Sequence, residues 1–561
     1  LTEAAGPEPV PEEKTDELKE NKSRGGLSAK YLSLLFKLKS KPMKVMIPTT
    51  VDKGPIDVIT EIPKISDPGV DEVEISKIID PYSFVRIKYD NIGGEYLYEV
   101  IEPPLSEDER NLLELLKNAL IMTLNITEVE STQEKERILN KATDSLMRTF
   151  GVTLHPVSKD RIVYYLRRDF IGYGVIDVMM TDTNVEDCSC DGVAIPLYIY
   201  HRKYGSIRSN IKFDKEVELD AFVVWLAQKC GKHISVADPL LDATIPDGSR
   251  LNATLGKYVT KRGSSFTIRR FKENPFTPID LLKFKTMSTD MMAYLWIATE
   301  YGSSMLVCGG TASGKTTTLN AVLLFIPPQM KIVSIEDTRE LNLPHENWIP
   351  SLTREGFGGR TGSRTGTIDM FELLTTALRQ RPQYLMVGEV RGKEAYVVFQ
   401  AMATGKTAYS TFHAEDVQAM VHRMENDPIN LPRALMTALD IVLLQAQVKV
   451  GTKMTRRVKS LTEIVGMDPE TGELITNAVH TWNPADDTFN FSGHSYVYEK
   501  VRTIRNWSPR EMEREVKRRV DILEYMKKIG VDNYRQVANI ISAYYKDPER
   551  TVKEIREKMT E

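Results

Sequence analysis

The eight residues Gly309-Gly-Thr-Ala-Ser-Gly-Lys-Thr316 constrain this chain more than any other stretch. They follow the apolar run Met305-Leu-Val-Cys308 and open the apolar stretch Thr316-Thr-Thr-Leu-Asn-Ala-Val-Leu-Leu-Phe-Ile326. The spacing G-x-x-x-x-G-K-[ST] between a strand and a helix is that of a phosphate-binding loop. Glycines let backbone N–H groups converge on phosphate oxygens, and the N-terminus of the next helix adds positive potential. Gly309, Gly310, Thr311, Ala312, Ser313, Gly314, Lys315, Thr316 and Thr317 are therefore the expected nucleotide-binding set. Lys315 is expected to reach the β- and γ-phosphates, and the Thr316 hydroxyl to ligate Mg²⁺.

The loop demands an α/β surrounding, and the sequence supplies one. From about Ser303 to about Val450, apolar runs (SSMLVCGG, KIVSIED, QYLMVGE, TAYSTF) alternate with helix-prone segments. That alternation predicts a doubly wound parallel sheet, in which ligands bind beyond the carboxyl ends of the strands. Three of these runs end in chemistry. Tyr384-Leu-Met-Val-Gly-Glu389 places Glu389 as the sole carboxylate at its strand end, able to orient a water or hold Mg²⁺. Ile332-Val-Ser-Ile-Glu-Asp-Thr-Arg-Glu340 sets Glu336, Asp337 and Glu340 within five residues. Thr407-Ala-Tyr-Ser-Thr-Phe-His413 delivers a histidine able to sense the γ-phosphate. A charged strand end is most often a solvated turn, and a lone histidine is most often structural. The shared sheet edge is what lifts these above that reading.

Elsewhere the chain reads as several domains. Residues 1–48 are expected to be a disordered N-terminal segment, with Arg24–Lys44 basic and apolar enough to touch an anionic membrane surface or to dock on its own domain. Residues 49–158 are expected to form an α+β subdomain, and 159–275 a second α+β domain. A capping box at Ser106–Glu109 starts a helix, Asp247–Gly248 marks a turn, and Ser508-Pro509-x-Glu511 opens a helical tail over 506–561. The net charge of −4 argues against a generic polyanion binder, so no nucleic acid is expected. The 4 cysteines include no CxxC pair, which argues against a zinc site and fits a reducing compartment. No apolar run approaches a bilayer span, and the start, which is not Met, does not read as a secretory signal. A cytoplasmic protein is the expectation.

The four motifs in this order resemble the secretion ATPase superfamily of type II secretion and type IV pilus motors, especially its archaeal branch, which also powers the archaellum. The likeness spans roughly residues 160–470 and includes CDGVAIPLYIYH, ADPLLDATIPDGSRLNATLG and RGSSFTIRRF. It implies a RecA-like domain over 276–505 and an α+β N-terminal region. It further implies a Mg²⁺-dependent ATPase acting as a homohexamer on a polytopic membrane platform protein, peripheral at the inner face of the cytoplasmic membrane. By the same likeness Glu340 is the general base, Glu389 the Walker B glutamate and His413 the His-box histidine. Arg250, Arg269 and Arg270 lie in stretches that face the nucleotide, with Arg354 and Arg391 as weaker candidates. Two departures stand out: Lys406 replaces the histidine usual after Gly405, and Gly356–Gly366 forms a basic glycine-rich loop. A RecA-like nucleic-acid translocase and a weakly hydrolysing ATP-binding scaffold are the rival readings.

Overall fold

The computed structural model describes residues 59–123, 131–271, 274–354, 366–451 and 453–560. The 1–48 segment, with its basic stretch, and nearly all of the glycine-rich loop lie outside the described residues. The chain divides into two compact units.

Among the described residues, the first unit comprises 59–63, 80–83, 101–123 and 131–174. Its helices Glu107–Thr123, Thr132–Phe150 and Pro156–Phe170 bury one apolar stripe each, built on Leu112, Leu116, Leu139, Ile162 and Leu166. The expected capping box is present: the Glu109 N–H donates to Ser106 Oγ at 3.2 Å, and the Ser106 N–H donates to Glu109 Oε2 at 2.8 Å.

The second unit comprises the described residues among 64–79, 84–100 and 175–560, and carries two sheets. The strands of the first are β1 Val70–Ile79, β2 Ser83–Asp90, β3 Glu95–Ile101, β4 Val185–Cys190, β5 Pro196–His201, β6 Gly205–Lys212, β7 Leu240–Thr244, β8 Arg250–Thr254 and β9 Ser265–Arg269. Their order is β1-β2-β3-β6-β5-β4-β9-β8-β7. Period-two patterning sets the faces: in β5, Leu197, Ile199 and His201 are buried while Tyr198 and Tyr200 are exposed. The expected division at 158/159 cuts across this sheet. β3 pairs in parallel with β6, and the Asn210 side chain exchanges hydrogen bonds of 2.9 and 3.0 Å with the backbone of Val100. The strands at 70–101 therefore belong with those after 185, and the intervening helices form the separate unit.

The second sheet contains β10 Met305–Cys308, β11 Ile332–Glu336, β12 Trp348–Leu352, β13 Tyr384–Glu389, β14 Thr407–Phe412, β15 Ile441–Val450, β16 Lys453–Met467, β17 Leu474–Asn483 and β18 Thr488–Phe491. The order is β12-β11-β13-β14-β10-β15-β16-β17-β18. Strands β12 through β15 in that order pair in parallel, whereas β15–β18 form an antiparallel extension. Four parallel strands are apolar along most of their length because helices cover both faces. One face packs on helices Thr289–Glu300 and Lys315–Leu323, the other on Met370–Arg379 and Glu394–Ala403.

The helical tail is not peripheral. Helices Pro509–Lys528, Tyr534–Lys546 and Pro548–Thr560 share one apolar core with the first of those faces. Trp296 stacks on Phe325 with ring centroids 5.0 Å apart, and its Nε1 donates to the Tyr545 hydroxyl at 2.8 Å. Among the described residues, no helix is long and apolar enough to cross a membrane.

Candidate active site

Because the parallel strands run the same way, their carboxyl ends lie along one edge. The loop Gly309–Thr316 leaves β10 there, Glu336 ends β11, Glu389 ends β13, and His413 follows β14. The loop has the backbone its sequence requires. Gly314 adopts φ 95°, a left-handed conformation, and caps helix Lys315–Leu323. A Cβ on Gly309 would stand 2.1 Å from the Gln445 carbonyl oxygen on β15, so only glycine fits between the two strands. Ser313 Oγ donates to the Gly310 carbonyl at 2.9 Å and closes the turn.

Lys315, His413 and Glu389 meet at this loop. The Lys315 ammonium donates to the Gly310 carbonyl at 3.0 Å and lies 3.5 Å from His413 Nε2. His413 Nε2 is in turn 3.0 Å from Glu389 Oε1, and Arg391 binds the other carboxylate oxygen. Burial pulls the Lys315 pKa below its ordinary value, with the nearby Glu389 and Glu340 charges working against that. The His413 pKa is also lowered, first by burial and then by the Lys315 charge. The imidazole is thus neutral at neutral pH and can donate or accept a single hydrogen bond. Thr411 Oγ1 donates to the Gly388 carbonyl at 2.8 Å, fixing the end of β14 to that of β13.

Glu340 is exposed at the same edge, on a loop held by a residue whose task was not legible in the sequence. Glu336 is buried, and its Oε1 accepts from the Glu340 and Leu341 backbone N–H groups, both at 3.0 Å. Its Oε2 finds no partner among the described residues. Burial raises its pKa to about 7, only partly offset by those two N–H donors. Gly388 makes room for it: a Cβ there would lie 3.3 Å from Glu336 Cγ. The sequence signal was present, since Gly388 is the small residue where most phosphate-loop enzymes carry an aspartate, but nothing in sequence tied it to Glu336.

The arginines separate into two groups. Arg250 on β8 is bidentate to Asp242 at 3.1 and 2.7 Å, and it also feels the charges of Asp337 and Glu340. Arg391 feels Asp337 as well. Arg269 lies directly across the ladder from Arg250, but it pairs with Asp187 at 3.5 Å. Arg270 is spent on backbone carbonyls, including that of Val185 at 3.2 Å. Arg354 closes the base of the glycine-rich loop, donating to the Gly366 carbonyl at 3.0 Å. Lys406 precedes β14 and therefore sits at the opposite edge of the sheet. At about 3.3 Å per residue, β14 separates it from His413 by roughly 20 Å. Its N–H bonds to the Ala401 carbonyl and ends the preceding helix.

A type II/IV secretion system protein family profile matches residues 197–559. The chain belongs to that family, and its enzymatic class is ATPase. An uncharacterised protein of Methanocaldococcus jannaschii is 38% identical over 472 residues, covering 80% of this chain and 85% of that one. The type IV secretion system protein PtlH of Bordetella pertussis is 30% identical over 272 residues, covering 43% of this chain and 79% of PtlH. Among solved structures, the ATPase DotB of Legionella pneumophila aligns at 16% identity over 66% of this chain and 95% of that one. The TM-score of that alignment is 0.37.

Proposed function

We propose that this secretion-family ATPase is a Mg²⁺-dependent, homohexameric motor. It binds ATP on the Gly309–Thr316 loop and drives a pilus, archaellum or secretion assembly through a polytopic membrane platform protein. The observation that supports the chemistry is the contact chain from Lys315 through His413 to Glu389, beside a loop that carries Glu340. Lys315 neutralises charge on the β- and γ-phosphates. Glu340 takes a proton from the attacking water as its oxygen bonds the γ-phosphorus. The bridging P–O bond breaks, and its electron pair leaves on ADP. Glu389 holds the water's orientation, His413 donates to a γ-phosphate oxygen, and Arg250 offsets charge on the transferring group.

The Thr316 hydroxyl and the Glu389 carboxylate are the oxygen donors that Mg²⁺ favours. When bound, the ion would neutralise phosphate charge. Phosphate-dependent contacts made by Arg250 on one sheet and Glu340 on the other couple hydrolysis to motion between the sheets.

Glu340→Gln tests the assignment of the base. ATP binding should persist while turnover falls by about 10²–10⁴. Lys315→Ala should abolish binding or turnover. Normal turnover by Glu340→Gln would transfer the base role to another carboxylate. Stimulation of turnover by anionic liposomes supports the membrane-machine reading, whereas strong salt-sensitive stimulation by single-stranded DNA alone would overturn it.

A further inference from the structure

The catalytic groups crowd one flank of the phosphate loop, and one unassigned cation occupies the other. Strands β13 and β14, which deliver Glu389 and His413, lie on one side of β10. On the other side β15 pairs with β10, and β16 pairs with β15. From β16 the exposed Arg456 reaches back over the loop: its Nε donates to the Ala312 carbonyl at 2.9 Å. Its Cδ would lie 3.2 Å from a Cβ on Gly314, so the stem rests along the outer wall of the phosphate cradle. Gln445, the neighbour across that wall, is buried and places its Nε2 3.0 Å from the same Gly314 position. The two Nη groups of Arg456 meet no acceptor among the described residues. By contrast, the adjacent Arg457 is buried and fully engaged, bidentate to Asp487 at 2.7 and 2.9 Å.

A nucleotide is an elongated, polar object with two unlike ends. Its γ-phosphate belongs at the Glu389–His413 flank, where the proton acceptors and neutral donors are. Its phosphates follow the loop toward the start of helix Lys315–Leu323. The sugar and base then emerge on the β15–β16 flank. A guanidinium anchored by one N–H, with its planar face and two NH2 groups available, suits that end: it can stack on a purine ring and donate to ribose or ring acceptors.

We infer that Arg456 is the nucleoside-binding residue of this ATPase, closing the site opposite its catalytic groups. The inference rests on the triphosphate occupying the Gly309–Thr316 loop. Inorganic tripolyphosphate, which has the phosphates and no nucleoside, separates the two ideas. Affinities of ATP, ADP and tripolyphosphate are measured with Mg²⁺ on the full chain and on its Arg456→Ala and Arg456→Lys variants. Arg456→Ala should weaken ATP and ADP by about tenfold, the size of one lost cation–π contact, and leave tripolyphosphate within about twofold. Arg456→Lys keeps the charge but not the planar fork, and should show the same selective loss at smaller size. Equal weakening of tripolyphosphate and ATP would reduce Arg456 to a prop for the loop, and unchanged affinity for all three would also overturn the inference. A wild-type chain that fails to bind tripolyphosphate would indict the phosphate-loop reading instead.

Discussion

Replacing Glu336 by glutamine should make the protein more stable, and the gain should depend on pH in a way that betrays the carboxyl. Glutamine keeps an oxygen for the Glu340 and Leu341 N–H groups and replaces the ionisable hydroxyl with a neutral amide NH2. The wild-type carboxyl rises from 4.5 to about 7 on folding because burial disfavours its charge. A raised folded pKa means the native state holds the proton more tightly than the unfolded chain does. The associated stability is therefore complete below pH 4.5 and is lost as the pH climbs through about 7. At 1.36 kcal/mol per pKa unit, the whole loss amounts to about 3 kcal/mol. Urea denaturation of nucleotide-free wild type and Glu336→Gln should thus give a stability difference that grows toward the variant by about 3 kcal/mol between pH 4.5 and 8, and then levels. Differencing the two proteins cancels the other titrating groups. A difference that stays flat across this range, or that favours wild type at high pH, would refute the buried-carboxyl reasoning.

Gly388→Ala should press on Glu336 Cγ at 3.3 Å and shift the Glu340 loop, cutting ATP turnover while costing about 1–3 kcal/mol in urea. Gly309→Ala should be worse, because its Cβ would meet a backbone oxygen at 2.1 Å; loss of ATP binding in a fluorescence titration is the expected result. Arg519→Leu removes the cation that pairs with Glu300 and Glu515 and lies between Trp296 and Tyr544. Glu300 would be left partly buried without that cation, while Glu515 keeps Arg518 at 3.2 Å, at a cost of roughly 3–5 kcal/mol read by thermal or urea unfolding. The His413 ring should titrate below 6.5 in a labelled-histidine NMR experiment, because burial and Lys315 disfavour its cation; a midpoint above that value would contradict the geometry.

Much of the candidate site was legible because its motifs are local. A phosphate loop, a glutamate after an apolar run and a histidine after another each declare themselves over a few residues. A parallel sheet then brings their ends together without further information. What was hidden depends on side chains meeting across elements. Glu336 looks like one carboxylate among three until its oxygen is seen on the Glu340 and Leu341 N–H groups. Lys406 and His413 share one short motif, yet the length of β14 places them at opposite edges. Arg269 sits in a family-like stretch, and only the ladder register shows Asp187 and Arg250 as its neighbours. Strand pairing between 97–98 and 208–209, which spans the expected boundary at 158/159, likewise leaves no mark in either segment.

The Tyr545 hydroxyl donates to the Phe325 carbonyl, two residues past the end of the helix that the phosphate loop begins. Helix Tyr534–Lys546 is therefore a keystone for the machinery that precedes it by more than two hundred residues. A fragment cut at Arg505 would not be a trimmed enzyme. It would uncover the indole of Trp296, strand the Arg519 partner Glu300, and unseat the rod that carries Lys315.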